Sequence, residues 1–178
     1  MRETLIAFAV SIGMLSGVAP YQHAPSDAEG WREIAWPFAR DGWPAGRAFR
    51  CSSQACGEQV EIYLRPKIGF CNCDRGVADD DEVDRVADLD LISERFVPVE
   101  AGHPIQLAEM RGRVRAYELS MPDRSRRVAV GIALSPRCDL LVAVAQGNGT
   151  AAGVQGIALK FLGSNDMSRW MLAAISGQ

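Results

Sequence analysis

Apolar positions recur along this chain with two different periods, and the switch between them marks its architecture. Val60-Glu61-Ile62-Tyr63-Leu64-Arg65 alternates apolar with polar or amphipathic residues, the two-residue repeat of a half-buried strand. Residues 47–51 predict a short strand before it. Residues 52–58, with Gly57, predict the connection between the two. Pro66 is expected to end regular pairing, because proline brings no N–H to a ladder. Residues 105–107 predict a further short strand. Residues 113–120 alternate again, 121–125 read as a turn, and 128–134 are mostly apolar. Ser135-Pro136-Arg137 then turns the chain into a second apolar run over 140–145. The sum is an antiparallel meander whose last two strands lie near the middle of a sheet.

The helical period appears in three places. Asp79, Asp80 and Asp81 are expected to open a helix, since acidic side chains favour a helix N-terminus, with Val83, Val86 and Ala87 along its apolar face and Asp90-Leu91 continuing it until it fades near Ser93. Thr150 is placed to cap a helix over residues 151–162 that carries Val154, Ile157, Ala158, Phe161 and Leu162 on one side. Gly153 and Gly156 weaken it by up to about 1 kcal/mol each. Gly163 breaks it, and Ser164 or Asn165 caps a second helix striped with Met167, Trp170, Met171, Ala174 and Ile175.

Residues 20–46 show neither period. Trp31, Trp36, Pro37, Trp43, Pro44 and Gly46 describe an irregular arm that lays its indoles across the domain. The expected organisation is an export segment over 1–19, this arm over 20–46, and one domain over 47–178. That domain reads as α+β, a mainly antiparallel sheet covered by helices.

Composition alters this little: 178 residues, 48% hydrophobic and 23% charged, describe an ordinary globular chain. Charge excludes more. A net charge of −3 argues against a nucleic-acid partner, whose binding rests on clustered Lys and Arg. Arg111, Arg113 and Arg115 read as a solvated strand face, and Arg124, Arg126 and Arg127 as a solvated turn. Asp74, Asp79, Asp80, Asp81, Glu82 and Asp84 form a dense acidic stretch without the spacing of an EF-hand loop. It reads as an acidic helix start in solvent, and as the best place for a cation or a basic partner.

The first residues set the compartment. Arg2 precedes an uncharged, apolar run from Leu5 to Val18, and Gly17-Val18-Ala19 offers small residues to a signal peptidase. Glu3 and Pro20 depart from that pattern, which keeps an uncleaved membrane anchor as the alternative. Either reading places the chain in the periplasm or tethered on the periplasmic side.

In such an oxidising compartment Cys51, Cys56, Cys71 and Cys73 read as disulfide staples. Their connectivity stays open: Cys51 and Cys56 meet if the hairpin forms, or both reach across to Cys71 and Cys73. Cys138 lies in a separate turn, with another bridge, a free thiol and a link to a second chain all open to it. The rival chemistry uses the same four sulfurs as thiolates for zinc or Cu(I), or as a thiol-redox centre. Cys-x4-Cys and Cys-x-Cys match neither the usual zinc pairs nor the Cys-x-x-Cys redox motif.

Catalytic chemistry finds few footholds. His23 and His103 are the only histidines. No serine-hydrolase elbow, His-Glu-x-x-His, phosphate-binding loop or dinucleotide fingerprint occurs. Gln146-Gly147-Asn148-Gly149-Thr150 lacks a lysine and reads as a strand-to-helix turn. No catalytic residue and no cofactor is assigned. The chain is expected to be an exported accessory or binding protein whose partner is another envelope protein or a membrane complex. The partner-binding candidates are Trp31, Trp36 and Trp43 of the arm and Asp79, Asp80, Asp81, Glu82 and Asp84 of the helix start. Indoles are comfortable at a bilayer surface, so the arm also suits peripheral membrane contact.

Trp36-Pro37-Phe38, Asp41-Gly42-Trp43-Pro44, residues 46–51 and Arg65-Pro66-Lys67-Ile68-Gly69-Phe70-Cys71-Asn72-Cys73 resemble a group of small exported bacterial proteins of unassigned activity. The resemblance spans about a third of the chain and brings no catalytic residue. In order of elements, the second half is similar to PsbP-like and DcrB-like domains, which implies an α/β/α sandwich and an accessory or lipid-side role. The cysteine cluster is no part of that pattern.

Overall fold

A computed structural model of the protein describes residues 30–69 and 75–177. The export segment, His23, Cys71, Cys73 and Asp74 lie outside the described residues. Eight strands form one antiparallel sheet and are joined by four α-helices, an α+β architecture. In spatial order the sheet runs β1 (Trp31–Ile34), β2 (Arg47–Cys51), β3 (Val60–Lys67), β8 (Leu140–Gly147), β7 (Arg126–Ser135), β6 (Met110–Ser120) and β4 (Phe96–Pro98). The remaining strand, β5 (His103–Leu107), pairs with the first part of β6, Leu107 opposite Met110, while β4 pairs further along, Pro98 opposite Tyr117. The helices are α1 (Ser53–Cys56), α2 (Asp80–Val86), α3 (Ala151–Leu162) and α4 (Asn165–Ser176). A 3-10 turn spans Leu89–Leu91.

The two most apolar strands, β7 and β8, occupy the middle, and all of β8 is buried. Strand side chains alternate between faces, so each strand feeds two clusters. Ile62, Leu64, Val130, Ile132, Leu134, Leu141 and Ala143 pack with Val154, Ala158 and Phe161 of α3 and Met167 and Met171 of α4. Tyr63, Ala129, Ala133, Val142 and Val144 face the other way, with Val83 and Val86 of α2.

The helix ends form where their capping residues sit. The Thr150 hydroxyl accepts the Gly153 N–H at 3.1 Å, the Ser164 hydroxyl accepts from Met167 at 3.4 Å, and Asp79 accepts from Glu82 at 3.0 Å. Each relieves one orphan donor of a first helical turn.

Two local expectations are corrected. Trp31-Arg32-Glu33-Ile34 lies in the stretch that reads as irregular, yet pairs with β2 as an edge strand, Trp31 opposite Cys51. Its buried-exposed-exposed-intermediate pattern is too short to register as a period beside so much Pro and Gly. Pro66 lies inside β3, opposite Leu141. The register of β2 stops at Leu64, so β3 has one neighbour from Arg65 onward, where a residue without N–H is tolerated. The connection over residues 52–58 holds a single helical turn, α1.

Cys51 and Cys56 are bonded to each other, with Cα atoms 6.1 Å apart. Cys51 closes β2 and Cys56 closes α1, so the bond fastens the connection back onto the strand it leaves. Gly30 packs beneath it with φ +85°, where a Cβ would fall 2.1 Å from the Ala55 Cβ. Cys138 is disulfide-bonded as well, which corrects the free-thiol reading.

Candidate functional site

The sheet face that meets α2 carries nearly all the buried charge of the described residues. In β3 the residues on this face are Glu61, Tyr63, Arg65 and Lys67, and in β6 they are Arg111, Arg113, Arg115 and Tyr117, each set two residues apart. Three ionic groups result.

The first is centred on Arg65, which is 2% exposed. Its guanidinium donates to Asp88 at 2.7 and 2.9 Å and to Asp41 at 2.9 and 2.5 Å. Lys67 Nζ lies 2.6 Å from Asp88 and donates to the Val86 carbonyl at 2.9 Å. Buried cations survive only when paired and hydrogen-bonded, and here two cations meet two carboxylates. Asp88 adopts φ +57°, which aspartate tolerates better than most residues. Trp36 lies 5.6 Å from the Arg65 guanidinium and Trp43 lies 5.8 Å from Lys67 Nζ, with both rings turned toward the cations. Hydrogen bonds from Arg65 hold the Asp41 carboxyl at about 2, well below the usual carboxylate range. Burial opposes the charge on Arg65, but Asp41 and Asp88 together push its pKa up.

The second group joins β6 to α2. Arg113 donates to Asp80 at 2.6 and 2.9 Å and to the Gly102 carbonyl at 2.8 Å. Arg115 donates twice to Asp84 at 2.9 Å, and Tyr117 donates to the same carboxylate at 2.6 Å. The Gly102 N–H, followed by Arg113, holds the Asp80 carboxyl below its ordinary range. Burial, and then Asp84, push the Tyr117 phenol up. The sequence reads the arginines as a solvated strand face and the aspartates as a solvated helix start. The structure corrects both readings at Arg113, Arg115, Asp80 and Asp84, which are one another's partners, and leaves Arg111 and Asp81 exposed.

The third group runs across β2, β3 and β8. Arg50 donates to Glu61 at 2.7 Å, Tyr63 donates to Glu61 at 2.5 Å, and the Gln146 amide donates to Glu61 at 3.1 Å. Burial works to raise the Glu61 carboxyl, but these donors outweigh it and hold the pKa down.

The partner-binding candidates therefore divide. Trp31 is core, stacked 4.2 Å from Phe161. Trp36 and Trp43 are half-buried and tied to Arg65 and Lys67. Asp80 and Asp84 are held by Arg113 and Arg115, Glu82 pairs with Arg85 at 2.5 Å, and Asp79 caps α2. Asp81 is exposed. His103 is exposed on β5, 3.4 Å from the Gln155 amide. Among the described residues, no group of three His, Cys, Asp or Glu is arranged to hold a metal ion. No helix among them is long and apolar enough to cross a membrane.

Sequence reasoning did not single out Arg65, Lys67 or Asp88, nor the place where the arginine row of β6 outruns its acids. There a groove of about 500 Å³ opens between the segment before α2 and the β5–β6 hairpin. Arg75, Val77, Pro104, Ile105, Gln106 and Arg111 line it. The clue was present in the spacing: Arg111, Arg113 and Arg115 share a face, but α2 begins at Asp80, too late to supply a third acid. Chemically the groove offers fixed positive charge beside apolar wall. Comparison with protein-family models and with curated proteins gives no match.

Proposed function

We propose that this protein is an exported, disulfide-stapled accessory or binding protein of the bacterial cell envelope, acting by recognition and not by catalysis. The observation that carries the reading is the Cys51–Cys56 bond, which suits an oxidising compartment. That bond also uses two of the four sulfurs that a thiolate metal or redox centre would require. The ionic groups support a structural role for most of the charge: Asp41, Asp80, Asp84, Asp88 and Glu61 each answer a cation of the same fold. In this reading the helices and the Trp-rich segment cover the sheet, and recognition falls to what remains exposed. The partner is another envelope protein or a membrane complex, and the location is periplasmic or membrane-tethered.

Fractionation of a bacterial host expressing the tagged full chain tests this. Recovery in the periplasm or envelope, with a defined co-purifying component after solubilisation, is the expected result. Full-length chain in the cytosol with Cys51 and Cys56 reduced would overturn it.

A further inference from the structure

We infer that the groove between the segment before α2 and the β5–β6 hairpin binds a small organic dianion, a dicarboxylate or a phosphate monoester with a short apolar body. The inference rests on the binding-protein reading above and names the ligand class of its site. The argument begins with register. On β6, Arg113 and Arg115 stand opposite Ala133 and Gly131, and Arg111 stands opposite Ser135 on the same face. Asp80 and Asp84 of α2 neutralise the first two. Arg111 lies one step beyond the start of α2, is exposed, and has no carboxylate partner among the described residues. Arg75 enters the same groove from the chain before α2, also exposed and also without such a partner.

Two guanidiniums on one groove are a poor arrangement for stability alone, since like charges repel and no carboxylate among the described residues answers them. They are a good arrangement for an anion with several acceptor oxygens, because guanidinium presents a planar fork that matches carboxylate and phosphate. The rest of the lining sets the body of the ligand. Val77, Pro104 and Ile105 give apolar wall, and the Gln106 amide can either donate or accept. A volume of about 500 Å³ lies within the range of small-molecule sites, and an open groove of that size suits a compact ligand. The other basic side chains nearby do not compete: Arg113 is already held by Asp80 and by the Gly102 carbonyl.

The test is calorimetric titration of the full chain with phenyl phosphate, glutarate, inorganic phosphate and, as the neutral control, benzyl alcohol. Saturable binding of phenyl phosphate or glutarate with a midpoint below about 1 mM, weakened by added salt, is expected, and benzyl alcohol should not bind. The stronger of the two names the head group. Inorganic phosphate should bind more weakly than phenyl phosphate; equal binding would overturn the apolar-body part of the inference. The Arg75→Gln/Arg111→Gln variant should lose at least tenfold in affinity. Arg32→Gln/Arg124→Gln, the same change in net charge elsewhere, should lose less than twofold. No saturable binding of either anion, or equal loss in both double variants, overturns the groove assignment. Because partner capture from envelopes is measured separately, failure here with capture intact removes the ligand and leaves the binding-protein reading standing.

Discussion

The two faces of the central strands solve the same burial problem by opposite means. Toward α3 and α4, the sheet presents Ile62, Leu64, Ile132 and Leu134, and Phe161 sits between Trp31 and Phe49 at 4.2 and 4.9 Å. Toward α2, β3 and β6 present Glu61, Arg65, Lys67, Arg113 and Arg115, and the answering groups come from elsewhere in the chain. The first face is non-directional, so stability there scales with apolar area removed from water and tolerates exchange of one hydrophobe for another. The second depends on position. A buried ion pair adds little net stability when whole, but removing one partner strands a charge in a low-dielectric setting. The lesson is that the charged face fixes which element lies where, while the apolar face supplies most of the driving force.

Asp88 is the sharpest place to break the comparison. Asp88→Asn keeps the left-handed backbone acceptable but leaves Arg65 and Lys67 short of an anion, and should cost about 3–5 kcal/mol in denaturant unfolding. Adding Arg65→Met and Lys67→Met to that variant should restore part of the loss. If the triple variant were less stable than Asp88→Asn alone, the pairing account of this face would be wrong.

On the opposite face, Phe161→Ala should cost about 3–4 kcal/mol through lost burial and a cavity. That loss should be the same at low and high salt. A salt-dependent effect would mean the two faces are not as distinct as described.

Replacing both Cys51 and Cys56 by Ser should cost about 2 kcal/mol in oxidising buffer, the loop-closure value for so short a ring. The difference from wild type should vanish in strong reductant, as followed by thermal melting.

The smallest effect concerns pH. The folded-state carboxyls of Asp41, Glu61 and Asp80 all lie below their ordinary values. Their stabilising contribution is thus complete above about pH 4, where the unfolded carboxyls ionise. It is lost as pH falls through the folded values, which for Asp41 means toward about 2. Melting temperature should drop across that window, and Asp41→Asn should make the drop shallower. Because Asp41 is about a third exposed, solvent screening keeps its share small.

Much of this fold was legible in the chain. The β7–β8 centre, the Thr150 cap, the Ser164 cap and the apolar stripe of Met167 and Met171 follow from local period and capping chemistry, which need no distant information. β1 and β4 were not legible because four and three residues cannot establish a two-residue period. The charged face misled for a different reason. Alternation reveals that Arg113 and Arg115 leave the apolar core, but water and an acidic helix satisfy arginine equally well in sequence. Only the packing of α2 over β6 decides between them. The same limit hid the groove, since Arg111 differs from Arg113 and Arg115 in having no aspartate partner among the described residues.

The oxidised state of the hairpin bears on all of this most directly. Full chain recovered from the envelope with thiols blocked at lysis, digested without reductant and mapped by mass spectrometry, should yield the peptides of Cys51 and Cys56 joined as one disulfide-linked species. Recovery of both residues as blocked free thiols would contradict the disulfide-stapled, exported protein proposed above.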